Sequence, residues 1–270
     1  MVDDAESGAR ADETSGLLSL GDLTAGDLAR IASEAVLVLP VGATEQHGPC
    51  LPLRTDSCLI DAVLRSASAR LDSCRTIVLA PTLAYGHSQH HLFAGAASLR
   101  PATLLAVLHD LIDSAHQSGF RRLFIANGHG GNDECIRLAV KDGANRHEMT
   151  LGACSYWDLA EDAWSERFAH IPGHAGAFEA SLLLAAAPGL VRTDRFGSAV
   201  PGPAGLHHES IAPGVTVARA GDWEASGGYS DAPAGADGDL GRHVLDVLGA
   251  NLAGLLERFA ELPSTLRDRP

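Results

Sequence analysis

The sequence lacks the features that mark a membrane-embedded or a disordered chain. Among its 270 residues, no apolar run approaches the roughly 20 that a membrane-spanning helix needs. Hydrophobic residues make up 46% of the composition, which is enough to build a full core. Residues 1–16 are polar and acidic, without the basic start and apolar stretch of a signal peptide. We therefore expect a cytoplasmic protein with a flexible acidic tail over residues 1–16 and a single domain over residues 17–270.

The sequence also has little positive charge. Lys141 is its only lysine, and the formal net charge is −14. Because acidic surfaces repel phosphates, neither nucleic acid nor an anionic membrane is expected to be a partner. The five cysteines form no Cys-x-x-Cys pair, which favours reduced thiols over a disulfide framework or a zinc finger. Histidine, in contrast, is abundant, with 13 residues, several of them in glycine-rich turns.

Short apolar runs alternate with amphipathic helical segments along the chain, without internal repeats or a dividing linker. The runs are apolar on both faces and bounded by glycine or proline, as in parallel strands covered on two sides. The predicted strands are Ala35–Val41, Thr76–Ala80, Leu123–Ala126 and Leu151–Tyr156. The predicted helices are Ser57–Leu71, Pro101–Ser118, Asn132–Arg146, Phe178–Ala187 and Asp239–Leu262. This pattern predicts an α/β three-layer sandwich with a mostly parallel central sheet, and an irregular segment over Gly197–Gly238.

Carboxylates and histidines follow the predicted strands or begin the predicted helices. These side chains belong to Glu45, His47, Asp56, His129, His174 and Glu179. Glu45 and His47 are two residues apart after the first strand, so in an extended chain they point the same way. Right-handed crossovers bring strand-to-helix turns to one edge of a sheet, where ligands bind. Gathered there, these groups would repel one another or stay unsatisfied, whereas two divalent cations would neutralise them.

Each part of this pattern also has a simpler interpretation. A Glu-x-His pair at a strand end is more often an ordinary surface pair, and His129 is compatible with a loop histidine that bonds to backbone. Its glycine-rich turn also suits anion binding at a helix N-terminus, although it lacks the lysine and spacing of a P-loop. A non-catalytic protein that binds a metabolite in the cleft stays open as an alternative of another class.

Four motifs, in order, resemble the creatininase family. Residues 38–56, VLPVGATEQHGPCLPLRTD, resemble its opening motif PxGSxEQHGPHLPLxTD. Residues 85–99, YGHSQHHLFAGAASL, are similar to its YG-S-x-EH-x-x-FPGT-x-SL segment. NGHGGN at 127–132 matches its most recognisable turn, and HAGAFEAS at 174–181 resembles its HAG-x-x-ETS motif. Weaker similarity continues through Asp231, Pro233 and Gly241.

The resemblance implies a creatininase-like fold and a metal-dependent hydrolase acting on carbon–nitrogen bonds other than peptide bonds. It implies two divalent ions per subunit, zinc, manganese or iron, and a metal-activated water. The implied metal ligands are Glu45, His47, Asp56 and His129, with Asp56 bridging the two ions, and Glu179 is the candidate for the remaining carboxylate ligand. His174 is implied as the proton donor and acceptor, with Glu179 beside it as a catalytic residue. The substrate-binding candidates are Trp157, Tyr156, Ser88, His91, Gly130 and Gly131.

Some positions depart from the family. Creatininase itself has a metal-binding carboxylate where this chain has Gly131, so either Glu179 or a water completes the shell of the second ion. His90 replaces the usual glutamate before His91, and Arg54 replaces a common small or acidic residue.

The substrate implied by the resemblance is a small amide, with creatinine or another cyclic amide as one candidate. The SYWD stretch at 155–158 resembles creatininase proper, where the tryptophan encloses the substrate, although Trp157 is equally compatible with an aromatic that fills space. Other family members deformylate a formylaminopyrimidine nucleotide or trim the peptide precursor of a redox cofactor, and the NGHGGN turn favours those. The family also implies a homo-oligomer, commonly a hexamer.

Overall fold

A computed structural model describes residues 17–72, 76–159, 173–198, 215 and 217–264. Within these ranges, five strands form one sheet, in the order β1-β3-β2-β4-β5, and every neighbouring pair is parallel. The strands are β1 (Leu17–Ser19), β2 (Val36–Val41), β3 (Ile77–Leu79), β4 (Arg122–Asn127) and β5 (Thr150–Ser155). The predicted parallel sheet is therefore confirmed. The expected acidic tail, residues 1–16, lies outside the described residues.

Seven α-helices lie in the described part of the chain. They are α1 (Ala25–Ile31), α2 (Thr55–Ser68), α3 (Pro101–Gln117), α4 (Asp133–Arg146), α5 (Ala177–Ala186), α6 (Asp222–Ala225) and α7 (Gly238–Glu261). Pro101 begins α3 because the first turn of a helix does not need its N–H. The side chain of Asp237 caps α7 by accepting hydrogen bonds from the N–H groups of Asp239 and Leu240. None of the helices in the described ranges has the length and apolar character needed to cross a membrane.

Helices cover both faces of the sheet and give the molecule three layers. Because side chains alternate along a strand, Val36 and Val38 of β2 face one way and Leu37 and Leu39 face the other. Val36 and Val38 belong to a buried cluster with residues of α2, α5 and α7. Leu37 and Leu39 belong to a second cluster with residues of α3 and α4. The predicted three-layer sandwich is confirmed.

The connections reverse direction at β2. The chain runs from β2 through α2 on one face to β3, and α3 then crosses on the other face to reach β4, on the opposite side of β2. The last residues of these two central strands, Val41 and Asn127, are partners in the register. The loops that follow β2 and β4 therefore lie side by side at a topological switch point, where open α/β sheets bind ligands.

The predicted irregular segment over Gly197–Gly238 is described only in part, at residues 197–198, 215 and 217–238. That part contains α6 and a 3-10 turn over Pro233–Gly235, and no strand. Its chain path returns to the carboxyl edge of the sheet, where Trp223 reaches His91 and His174.

Candidate metal centre

Asp56 lies at the middle of a buried cluster of carboxylates and imidazoles. It is in the first turn of α2, and its side chain is 2% exposed. Its Oδ1 lies 3.2 Å from Nε2 of His47, and its Oδ2 lies 3.3 Å from Nδ1 of His129. One carboxylate thus faces two imidazoles, with one oxygen toward each. With this arrangement, each of the two oxygens could contact a separate cation.

The two loops after β2 and β4 supply the rest of one side of the cluster. Glu45 and His47, in the loop after β2, are fully buried. His129 follows β4, and its Nδ1 lies 3.3 Å from Oε1 of Glu45. The asparagines of the NGHGGN turn hold His129, because Asn127 accepts from its backbone N–H and donates to its carbonyl oxygen. Asn132 donates to the carbonyl oxygen of Gly42 and so ties the two loops together.

Helix α5 supplies the other side of the cluster. Oε1 of Glu179 lies 3.7 Å from Nε2 of His47, and its Oε2 accepts a hydrogen bond from the backbone N–H of Ala175. His174 precedes the helix, with Nδ1 3.5 Å from Oε1 of Glu45. Asp231 accepts a hydrogen bond from the N–H of Ala177 and so fixes the start of α5. All six predicted catalytic or metal-binding side chains are therefore brought together.

In three of the histidines, the ring nitrogen that points away from the carboxylates directs its N–H at a backbone carbonyl. We call this the outer nitrogen, and the one that faces the carboxylates the inner nitrogen. His47 Nδ1 lies 3.2 Å from the carbonyl oxygen of Glu45, and His129 Nε2 lies 2.9 Å from that of His87. His174 Nε2 lies 2.9 Å from the carbonyl oxygen of Gln46. In the neutral imidazole this leaves the inner nitrogen as an acceptor, facing a carboxylate oxygen. Two acceptors can face each other stably only with a proton or a cation between them.

The donors fit a divalent metal. Both carboxylate oxygens of Glu45, Oδ2 of Asp56 and Nε2 of His47 are buried and have no hydrogen-bond partner among the described residues. Buried polar atoms are normally paired, so these atoms require an explanation. Three sets of side chains each bring their ligand atoms within 4.8 Å of one another. The sets are Glu45, His90 and His129; Glu45, His47 and His174; and His47, Asp56 and Glu179. Imidazole nitrogen and carboxylate oxygen are ligands of zinc and of similar divalent ions.

The electrostatics also favour positive charge inside the cluster. Burial disfavours the charged form of His47 and His129, yet the neighbouring carboxylates raise the pKa of both imidazoles well above the ordinary value. Burial opposes ionisation of Asp56 too, but these two imidazoles hold its pKa below the usual range. Burial raises the pKa of Glu179. The cluster therefore attracts cations, whether protons or metal ions.

His174 and His91 behave differently because other histidines surround them. Burial lowers the pKa of His174 well below its ordinary value, and the nearby His47 and His91 lower it further. Burial lowers the pKa of His91 to about 2, and His90 adds to this effect. Both rings are thus neutral at pH 7.

Gln46, which was not predicted to belong to the site, orients these two histidines. Its amide nitrogen lies 2.6 Å from the carbonyl oxygen of Gly228 and 2.8 Å from Nδ1 of His91, which uses both amide hydrogens. A third contact, 3.1 Å from the amide nitrogen to Nε2 of His174, then carries no hydrogen from Gln46. Glu45 and His47, on either side of Gln46, were predicted as ligands because their spacing points both side chains the same way. The position of Gln46 between them gave no signal of its own role.

A cavity of about 420 Å³ opens onto the cluster. Of the predicted substrate-binding residues, four line this cavity: His91, Gly130, Gly131 and Trp157. Tyr156 is instead 1% exposed and lies in the core, with its ring against Phe178 and Trp157. Ser88 is fully buried and is not among the residues that line the cavity, and its Oγ lies 3.3 Å from Nε2 of His129.

Trp223, His90 and Arg219 also line the cavity and were not predicted to do so. The ring of Trp223 stands edge-on to His91 and His174, at centroid distances of 4.7 and 5.4 Å. Trp223 and Arg219 come from the Gly-, Pro- and Ala-rich part of the sequence, which has no periodicity to predict where a side chain points.

Comparisons with known proteins connect this chain to one group of enzymes. The creatininase family model, described as creatinine amidohydrolase, matches residues 21–256. A mycofactocin precursor peptide peptidase of Mycobacterium ulcerans is 38% identical over 173 residues, covering 61% of this chain and 64% of the peptidase, less than two thirds of its length. The creatinine amidohydrolase of Pseudomonas putida is 34% identical over 197 residues, covering 65% of this chain and 74% of that enzyme.

Solved structures agree with these matches. A crystal structure of creatinine amidohydrolase has 28% sequence identity and a TM-score of 0.74, covering 91% of this chain and 99% of that chain. A structure named "Creatininase Mn" gives a TM-score of 0.76 at the same identity and coverage. The likeness therefore extends over nearly the whole length of both chains.

Proposed function

This chain belongs to the creatininase family and is a hydrolase of carbon–nitrogen bonds, and on that premise we propose that it hydrolyses a small, non-peptide amide in a dinuclear metal site. The proposal takes residues 17–270 as one catalytic domain. The observation that carries it is the set of three imidazoles whose inner nitrogens face carboxylates while their outer N–H groups are held by backbone carbonyls. Metal-ligating histidines are usually held in this way.

The proposed ligands divide between two ions. His47, Asp56 and Glu179 would hold one ion, since their ligand atoms lie within 4.8 Å of one another. Glu45, Asp56 and His129 would hold the other, since Nδ1 of His129 lies 3.3 Å from an oxygen of each carboxylate. Asp56 would bridge the two. Divalent ions bound here would lower the pKa of a water molecule and polarise the amide carbonyl of the substrate.

His174 is proposed to move the proton. It is neutral at pH 7, its Nε2–H is held by the carbonyl oxygen of Gln46, and its Nδ1 faces the cluster. Nδ1 therefore carries no proton, and it faces the position where the attacking water would release one. His174 would accept that proton and deliver it to the departing nitrogen. Trp157 and Trp223, which line the same cavity, would exclude bulk water from this transfer.

A small substrate is supported by the size of the cavity. Its volume of about 420 Å³ lies toward the lower end of the range for small-molecule pockets, about 300–1,000 Å³. Trp157 offers a flat apolar surface at its wall, which suits a planar ring.

The test is an assay with defined metal content. The purified chain, stripped by a chelator and reloaded with zinc or manganese, is expected to hydrolyse at least one amide of a panel that includes creatinine. His129→Ala is expected to lower kcat/KM by at least about 100-fold, since removing even an outer partner of a metal ligand costs about 10–100-fold. His174→Ala is expected to lower kcat similarly while metal content stays unchanged. An active enzyme with no metal, or an unchanged His129→Ala variant, would contradict the proposal.

Trimming of a peptide precursor is a second candidate, favoured by two observations. The peptidases are among the similar relatives, at 38% identity for the Mycobacterium ulcerans protein. A second cavity of about 290 Å³ adjoins the first and shares with it His90, Arg219, Asp222 and Trp223. Such an extension would accommodate the substrate peptide on both sides of the bond that is cut. Adding a precursor peptide and a formylaminopyrimidine nucleotide to the panel separates these substrates by their relative kcat/KM.

A further inference from the structure

The turn that carries His129 cannot place a side chain next to the cluster at position 131. A Cβ on Gly131 would lie 2.6 Å from Nε2 of His129 and 3.1 Å from Cε1 of His90, and it would overlap the carbonyl oxygen of His87. Real Cβ atoms essentially never make contacts as short as those with His129 and His87, and the contact with His90 would also be tight. The space beside His129 is therefore already filled, and part of what fills it is the His90 imidazole.

His90 reaches this space from the loop between β3 and α3. It is half-buried in the middle of a 3-10 turn over Gln89–His91, and its ring contacts His91 and Trp223 at centroid distances of 4.2 and 5.4 Å. A nitrogen of His90 lies within 4.8 Å of ligand atoms of both Glu45 and His129. Both Glu45 oxygens lack a hydrogen-bond partner among the described residues.

We propose that His90 is a metal ligand, and that it completes with Glu45, Asp56 and His129 the coordination of one of the two ions. This inference rests on the proposed dinuclear site and deepens it. The loop before α3 then supplies an imidazole to the cluster where the NGHGGN turn has only glycine. The ion site that contains His90 would have two nitrogen and two carboxylate ligands, whereas the site of His47, Asp56 and Glu179 has one nitrogen and two carboxylates.

The two sites should accordingly differ in metal preference. Nitrogen ligands favour zinc, and hard carboxylate ligands suit manganese better. We expect the His90-containing site to bind zinc more selectively than the other. Replacing the imidazole by a carboxylate, in His90→Glu, should shift that site toward manganese.

The experiment is a metal titration of chelator-stripped wild-type chain, His90→Ala, His90→Gln, His90→Glu and the matched control His87→Gln. His87 lies in the same loop, and its ring bonds to the carbonyl oxygen of Gly131, so Gln can keep that contact. Competition with a chromophoric chelator gives the affinities, and the visible spectrum of the cobalt-loaded protein reports the ligand set. Unfolding curves of the metal-free variants check that each one folds, and His90→Gln serves if His90→Ala does not.

The wild-type chain and the control are each expected to bind about two ions, and the affinity of each site should be the same in both proteins. His90→Ala and His90→Gln are expected to weaken one of these sites by about 10–100-fold or more and to change the cobalt spectrum. If the wild type binds two ions and the folded His90 variants match it in affinity and spectrum, His90 is not a ligand, while the dinuclear function stands. If the wild type binds no metal, the proposed function fails, and this inference fails with it.

Discussion

The histidines of the cluster connect metal binding to pH. In metal-free protein, the carboxylates around His47 and His129 raise the pKa of both imidazoles well above the ordinary value, despite burial. At pH 7 these groups therefore carry protons, which a metal ion must displace, since imidazole binds metals only when neutral. The proton and the metal ion compete for the same nitrogens.

We therefore predict that loading the metal-free chain at pH 7 releases about two protons, one from each of these histidines. Metal affinity should rise with pH and level off once the pH exceeds the raised pKa values. The stability of the metal-free fold should change in the opposite direction. The stability that these protonated histidines contribute is present at low pH and is lost as pH rises through the raised pKa. Calorimetric titrations in buffers of different ionisation enthalpy measure the proton count.

A proton count near zero at pH 7 would show that both imidazoles are already neutral in the metal-free chain. His47→Gln offers a control, because it removes one of the two titrating groups and should lower the release by about one proton.

The sequence could predict the carboxylates and histidines of the cluster but not all of their neighbours. Glu45, Asp56 and His129 follow buried strands or begin a helix, and the rule that strand ends share one edge brings them together. Trp223 has no such rule, because it lies in an irregular segment whose path depends on tertiary contacts. His90 was noted only as a departure from a family motif, and its position beside Gly131 depends on how two loops pack.

At the scale of elements, most of the fold could be predicted because long apolar patterns are unambiguous. The predicted helix Pro101–Ser118 is α3 over Pro101–Gln117, and the predicted Asp239–Leu262 is α7 over Gly238–Glu261. Strand β1 was not predicted. It has three residues at the sheet edge, too few for a period-2 pattern, and its pairing with β3 defines it.

Two glycines of α7 should respond in opposite ways to the same substitution. A Cβ on Gly241 would overlap the backbone carbonyl of Ser181, where α7 crosses α5. A Cβ on Gly254 would meet only the flexible side-chain end of Arg258, at 3.3 Å. Gly241→Ala should therefore lower the free energy of unfolding by about 1–3 kcal/mol or more through overpacking. Gly254→Ala should raise it by about 0.5–1 kcal/mol, because alanine favours a helix.

Urea unfolding of both metal-free variants checks this pair. Because α5 begins just after His174 and carries Glu179, Gly241→Ala is also expected to weaken metal binding, which Gly254→Ala should leave unchanged. Equal midpoints for the two variants would mean that α5 and α7 do not pack as closely as described.

At the scale of the whole molecule, the cluster joins parts of the chain that are distant in sequence. Its side chains come from the loops after β2 and β4, from α2 and from α5, so a bound ion ties the sheet to two of the helices that cover one face. The metal-free fold must hold three buried carboxylates close together without a bound cation. Cytoplasmic location and hexameric assembly, both expected from the sequence, stay predictions; light scattering of the loaded protein tests the assembly.

Removal of the metal should therefore lower the stability of the whole fold rather than that of one loop. A ligand present at about 100 times its Kd stabilises the native state by about 2.7 kcal/mol, if the unfolded chain does not bind it. For a chain of this size, that corresponds to a rise in Tm of about 5–10 °C. Thermal unfolding of wild-type chain with zinc, with manganese and with excess chelator measures the shift. Asp56→Asn should remove most of the shift at equal metal concentration, because one oxygen of the carboxylate that we propose to bridge the two ions becomes an amide nitrogen that cannot bind a cation. A Tm that does not change with metal would mean that the four elements are already held together without a cation, and the buried carboxylates would then require another source of positive charge.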